Sequence, residues 1–199
     1  MELLREPAAG DVQAEVRALV RALADSDGET YRHSFEVAGM ATAVGRRLGL
    51  TPAELMEVEL GALLHDVGKL CLPARLLAKP GRLTAAELRL VRRHPDWGAD
   101  MVACVPGLEA VAIVVRMHHE RPDGLGYPCG LTCEEIPPAA RIVSACDAYG
   151  AMTTQRPYRA PLALEDALAE LEQHSATQFD ADVVEALIAL VRVPERIPA

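Results

Sequence analysis

The stretch "GALLHDVGKL", residues 61–70, places His65, Asp66 and Lys69 within five positions of an otherwise apolar run. Ionisable groups are costly to desolvate unless something pairs with them, and a bound cation is the strongest available partner. The segment leading into it opens with "TPAE", residues 51–54. Thr51 stands as cap, Pro52 at the first helical position and Glu54 three residues after the cap, which together make a capping box. The run is therefore a helix delivering His, Asp and Lys toward a core, and further ligands are to be sought elsewhere in the chain.

Outward from this segment, apolar residues recur at three- and four-residue spacing and strand-like alternation is absent, so the fold class is all-α. Residues 12–24 carry Val12, Val16, Leu19 and Leu23 on one face, which packs on the body of the domain or, in the other reading, on a second subunit of a homodimer. The run "YRHSFEVAGMATAVGRRLGL" aligns Val37, Met40, Val44 and Leu48, with Gly49 in the position of a C-terminal glycine. "TAAE" at 84–87 forms a second capping box, and its helix is expected to end near His94, because Pro95 disfavours helical geometry in the residue before it. "LEAVAIVVRMHHE" from 108 reads as a central helix running into "RPDGLGYPCGLTCEEIPP", a loop dense in Gly and Pro. Helices follow at 139–152 and 162–173, and Asp180 caps a last one, "ADVVEALIALV".

Half of the 199 residues are apolar, with only two Phe and one Trp, which predicts one domain with an Ala/Leu/Val-rich core. A formal charge of −9 without a basic block argues against long nucleic acid as a partner. Five cysteines at irregular spacing read as reduced thiols of a cytoplasmic protein, and Cys129 and Cys133 as loop and packing residues rather than a zinc site. "MELLREPAAG" is broken by charge and Pro too early for a signal peptide, and no apolar run approaches the roughly 20 residues that span a bilayer. No membrane association is expected.

The residues able to bind a hard or borderline cation on predicted helices are Glu29, His33, His65, Asp66, His94, His118, His119 and Asp147. Glu29 and His33, four apart, share a helical face. His65 with Asp66, and His118 with His119, are adjacent pairs whose directions differ by about 100° on a helix, so each pair serves two neighbouring metals rather than one. Imidazole mixed with carboxylate and no thiolate suits iron, manganese, zinc, nickel or cobalt in an open, polynuclear site. Two metals about 3.5–4 Å apart hold a bridging hydroxide and neutralise phosphoryl oxygens, which is phosphoester hydrolysis. Lys69, one turn after Asp66, is placed to reach a phosphate oxygen or protonate the departing one, with Gly68 beside it permitting close approach of a ligand.

"HDVGK", "HHERPDGLGYP", "RIVSACDAYGAMTTQRPYR" and "TQFDADVVEAL" resemble, in order and spacing, the bacterial HD-GYP domains, a branch of the HD metal-dependent phosphohydrolases. The resemblance runs from about Glu29 to Leu190 and implies a compact helical bundle, and the chain is read as an N-terminal helical extension over 1–24 followed by this domain over 25–199. The implied activity is hydrolysis of cyclic di-GMP to linear pGpG and/or GMP. It implies as metal ligands His33, His65, Asp66, His94, His118, His119 and Asp147, with Asp66 bridging and Glu29 adding a third metal site. Two or three divalent ions, iron or manganese, would be the cofactors. Substrate holding would fall to Arg156 and Arg159, whose planar forks suit phosphate and the guanine edge, and to Lys79 and Arg82 at the entrance. Asp123, Gly124, Gly126, Tyr127 and Pro128 form the GYP loop, which in the family also docks partner proteins, including cyclic di-GMP synthases. Gln155 departs from the family pattern and points to the alternative, another cyclic dinucleotide or nucleotide as substrate. A catalytically weak module acting through partner binding is the remaining reading.

Overall fold

The computed structural model describes residues 11–155 and 160–193. Among them are ten α-helices and no strand, only two isolated bridges. The helices are α1 (Val12–Ser26), α2 (Gly28–Arg47), α3 (Pro52–Leu64), α4 (Ala74–Leu77), α5 (Ala85–Val91), α6 (His94–Ala103), α7 (Glu109–Met117), α8 (Pro138–Thr153), α9 (Leu164–Gln173) and α10 (Ala181–Arg192). The all-α class is as the periodicity requires. Both capping boxes form, at Thr51 with Glu54 and at Thr84 with Glu87, and Asp180 accepts hydrogen bonds from Asp182 and Val183 at the start of α10. Gly49 follows the end of α2 with φ of +78°.

Two apolar clusters make the core. The larger joins α2, α3, α8, α9 and α10 through residues such as Val37, Ala41, Val58, Ile142, Val143, Leu168, Leu171 and Leu187. The smaller joins the end of α3 to α6 and α7 through Leu64, Val67, Val102, Val111 and Val115. Val12, Val16 and Leu19 of α1 pack, partly buried, against this second cluster and Leu23 is buried, so the chain's own domain covers part of the stripe. Candidate ligands come from helices of both clusters, and the centre they form lies on the seam. Among the described residues no helix is long and apolar enough to cross a membrane.

Two local expectations are corrected here. The helix opened at Thr84 ends at Val91, not near His94, and His94 instead begins α6. Pro95 lies in the first turn of α6, where its missing N–H leaves no hydrogen bond unmade, so it starts a helix rather than stopping one. Gly68 does not make room for a ligand. A Cβ there would lie 2.0 Å from the His94 carbonyl oxygen and 2.5 Å from the Gly98 nitrogen, so what approaches Gly68 is the backbone of α6.

Candidate metal centre

His65 and His118 do not sit in mid-helix, as the 100° reading of the adjacent pairs had it. α3 ends at Leu64 and α7 at Met117, and each histidine is the residue that ends its helix. The last turns of a helix leave carbonyls without amide partners. His65 Nδ1 takes the Ala62 carbonyl and His118 Nδ1 the Val115 carbonyl, each at 2.7 Å. His94 Nδ1 makes the same bond to Val91, the last residue of α5, also at 2.7 Å. A carbonyl can only accept, so each ring carries a proton on Nδ1, and a ring that is neutral presents its Nε2 lone pair inward.

Inward, the seven residues His33, His65, Asp66, His94, His118, His119 and Asp147 converge. They form three overlapping groups, His33–His65–Asp147, His65–Asp66–His118 and His94–His118–His119, with ligand atoms in each group within 4.8 Å of one another. His33 Nε2 lies 2.7 Å from Asp147 Oδ1. Asp66 stands between the groups, Oδ1 at 3.3 Å from His94 Nε2 and Oδ2 at 3.2 Å from His65 Nε2. The Nε2 atoms of His94 and His118 are 3.4 Å apart, two lone pairs facing each other across a buried space. His65 Nε2 is buried without a hydrogen bond. Such a set is repulsive and under-satisfied by itself and is relieved by a cation among the atoms, so the residues fit a divalent metal.

The electrostatics agree. Burial, with neighbouring His119, His65 and His94, pushes His118 well below the usual imidazole range, and burial brings His119 down to about 4. Both rings are therefore neutral, with lone pairs available, at neutral pH. Burial opposes charge on Asp66 and Asp147. Lys69 and His65 outweigh it at Asp66, and the His33 hydrogen bond with His65 at Asp147, so both stay ionised. Burial likewise opposes charge on His65, but the Asp66 carboxylate wins and raises it to about 9, so without a cation His65 keeps a proton on Nε2 that a bound metal would displace.

The profile of the HD domain matches residues 17–183. The chain belongs to the HD-domain family. This HD domain is 40 % identical over 177 residues to a cyclic di-GMP phosphodiesterase of Pseudomonas aeruginosa, covering 88 % of the chain and 42 % of that relative. A second protein so named, from Thermotoga maritima, is 36 % identical over 183 residues, 90 % of the chain and 50 % of the relative. The chain thus spans half or less of these curated relatives. The crystal structure of a cyclic GMP-AMP specific phosphodiesterase of Vibrio cholerae shares the fold, with a TM-score of 0.69 at 20 % identity over 92 % of this chain and 49 % of that one.

Around the centre of the HD domain, the other sequence candidates separate. A cavity of about 650 Å³ opens beside it, lined among others by Asp27, Glu29, Thr30, His33, Asp66 and Lys69. Glu29 is in the wall of this cavity, exposed, and is not one of the three clustered groups. Lys69 Nζ is 2.6 Å from Asp66 Oδ2 and faces the same space. Lys79 is not a free phosphate ligand: its ammonium donates to both oxygens of Glu87, at 2.8 and 2.6 Å, because the Thr84 capping box holds that carboxylate within reach. Arg82 is exposed, and Arg156 and Arg159 lie outside the described residues. A larger groove of about 810 Å³ beside α10, lined by Arg47, Val184, Ile188 and Arg192, holds none of the candidate ligands.

In the GYP loop, Arg121 grips Asp123 through two hydrogen bonds and Leu125 points outward, 75 % exposed. Tyr127 instead turns in against His119. Sequence reading gave no role to Glu120, which is buried with its carboxylate turned on the loop's backbone amides. The available signal was an acid directly after the double histidine and ahead of a Gly-rich loop with many N–H groups to satisfy.

Proposed function

We propose that this HD domain is a metal-dependent phosphodiesterase that hydrolyses cyclic di-GMP to pGpG, GMP or both. The observation that carries this is the convergence of seven imidazole and carboxylate donors, five of them buried, beside a cavity with a lysine in its wall. His33, His65, Asp66, His94, His118, His119 and Asp147 would hold two divalent ions, iron or manganese, with Glu29 as the residue for a third. Bound divalent cations supply Lewis acidity that activates water and neutralises phosphate oxygens. Asp66 shares its two oxygens between the His94 and His65 sides, which suits a bridging carboxylate. Lys69, held against Asp66, stands where it donates a hydrogen bond to a phosphate oxygen or a proton to the departing one.

The substrate class is supported by the two relatives named cyclic di-GMP phosphodiesterases, each matched over about nine-tenths of this chain. A cytoplasmic setting is part of the same reading. On the family resemblance, the same reading makes the GYP loop a docking face for a regulatory protein such as a cyclic di-GMP synthase. The test is anaerobic loading with Mn²⁺ or Fe²⁺, incubation with cyclic di-GMP, and chromatography of the products. Appearance of pGpG, GMP or both is expected. No turnover with either metal overturns the reading, and turnover of cyclic GMP-AMP or cyclic di-AMP alone moves the substrate to another dinucleotide.

A further inference from the structure

Four of the five clustered histidines have an evident reason for the orientation of their rings. His65, His94 and His118 are locked by Nδ1 to a carbonyl three residues back, and His33 is tied to Asp147. The ring of His119 makes no hydrogen bond among the described residues. What it has instead is Tyr127, stacked on it with centroids 4.7 Å apart and planes 28° from parallel. Tyr127 also donates its backbone N–H to the His119 carbonyl at 3.2 Å, so one residue holds both the backbone and the ring of this ligand. The guanidinium of Arg92 lies over the Tyr127 ring at 5.0 Å and presses on the same stack.

Glu120, the residue after His119, is 2 % exposed. Its Oε1 accepts from the amides of Cys129 at 2.6 Å and Gly130 at 3.2 Å, and its Oε2 from Leu131 at 3.0 Å. A buried carboxylate with three N–H donors is well compensated and rigid. These bonds tie the far limb of the GYP loop back to the residue beside the ligand. At Gly126 a Cβ would lie 2.5 Å from the Arg121 nitrogen and the Glu120 Cα, so the loop rests directly on this backbone.

We infer that Tyr127 and Glu120 are positioning residues for His119: the loop closed by Glu120 holds the Tyr127 ring against a clustered imidazole that no hydrogen bond among the described residues orients. This rests on the metal reading above and deepens it, giving the loop a role inside the site as well as on the surface. Losing an outer partner of a metal ligand lowers metal affinity about 10–100-fold. Glu120→Gln keeps the shape but turns an amino group toward amide donors, so at least one of the three bonds is lost. Tyr127→Leu keeps apolar bulk and removes the stack. Tyr127→Phe keeps the stack, and the hydroxyl it removes makes no hydrogen bond among the described residues.

The experiment titrates Mn²⁺ into the full chain and its variants, counting ions by elemental analysis. Tyr127→Leu and Glu120→Gln are expected to weaken one class of Mn²⁺ site about 10–100-fold while the other class is kept. Tyr127→Phe should match wild type. In parallel, NMR of labelled histidine in the metal-free protein should show a His119 ring resonance displaced upfield by Tyr127 in wild type and Tyr127→Phe, and not in Tyr127→Leu. Unchanged Mn²⁺ affinity and an unmoved resonance in Tyr127→Leu overturn the inference, whether or not Glu120→Gln folds. Wild-type protein that takes up no Mn²⁺ overturns the metal reading instead, and the resonance still decides the positioning role.

Discussion

Replacing Gly68 by alanine tests whether the site is assembled by backbone contact between the segment after Asp66 and α6. The added Cβ would meet the His94 carbonyl oxygen at 2.0 Å and the Gly98 nitrogen at 2.5 Å, where ordinary van der Waals contact begins at 3.4 Å. Relief therefore needs about 1.4 Å of separation, the difference between 3.4 and 2.0 Å. Both obstacles are backbone atoms, so no rotamer change supplies it. Overpacking commonly costs about 1–3 kcal/mol, and a backbone-on-backbone clash belongs at the upper end, about 3 kcal/mol. For a chain of this size each kcal/mol lowers Tm by about 2–4 °C, so Gly68→Ala should melt about 6–12 °C below wild type. The same shift parts Asp66 from His94, now 3.3 Å apart, so Mn²⁺ uptake should fall as well. Gly39→Ala in α2 is the control. Nothing lies within 4 Å of its added Cβ, and removing a helical glycine should stabilise by about 0.5–1 kcal/mol. Thermal melts by circular dichroism read both. A Gly68→Ala protein melting within about 2 °C of wild type with full Mn²⁺ uptake would refute the reasoning.

Mn²⁺ at a hundredfold excess over its Kd should stabilise the folded protein by about 2.7 kcal/mol, a rise in Tm of about 5–11 °C that a chelator reverses. No shift at any Mn²⁺ concentration would count against a metal centre. Lys69→Ala should slow phosphodiester hydrolysis by about 10²–10⁴-fold while leaving bound Mn²⁺ per chain unchanged, and an undiminished rate would remove Lys69 from the chemistry. The Lys79 hydrogen bond, with those from Thr84, holds Glu87 down at about 2. A depressed carboxylate stabilises the fold above its ordinary value of 4.5 and loses that contribution as pH falls through about 2. Carboxyl NMR should find this midpoint, and Lys79→Ala should move it toward 4.5. A wild-type midpoint already at 4.5 would break the pair.

The helical class, the starts of α3, α5 and α10 and the residue types of the centre were all legible in the amino-acid order. Capping boxes and apolar periodicity are contacts between residues three or four apart, and such contacts are written in the local sequence. Tertiary structure alone decided that α3 and α7 stop where their histidines begin, that Pro95 opens a helix, that Gly68 faces protein, and that Glu87 claims Lys79. It decided, too, that the Glu120 carboxylate meets the amides of residues 129–131 and that Tyr127 lies on His119. Each of these depends on which remote backbone comes within a few ångströms, and that follows from the packing of two apolar clusters rather than from any neighbouring residue.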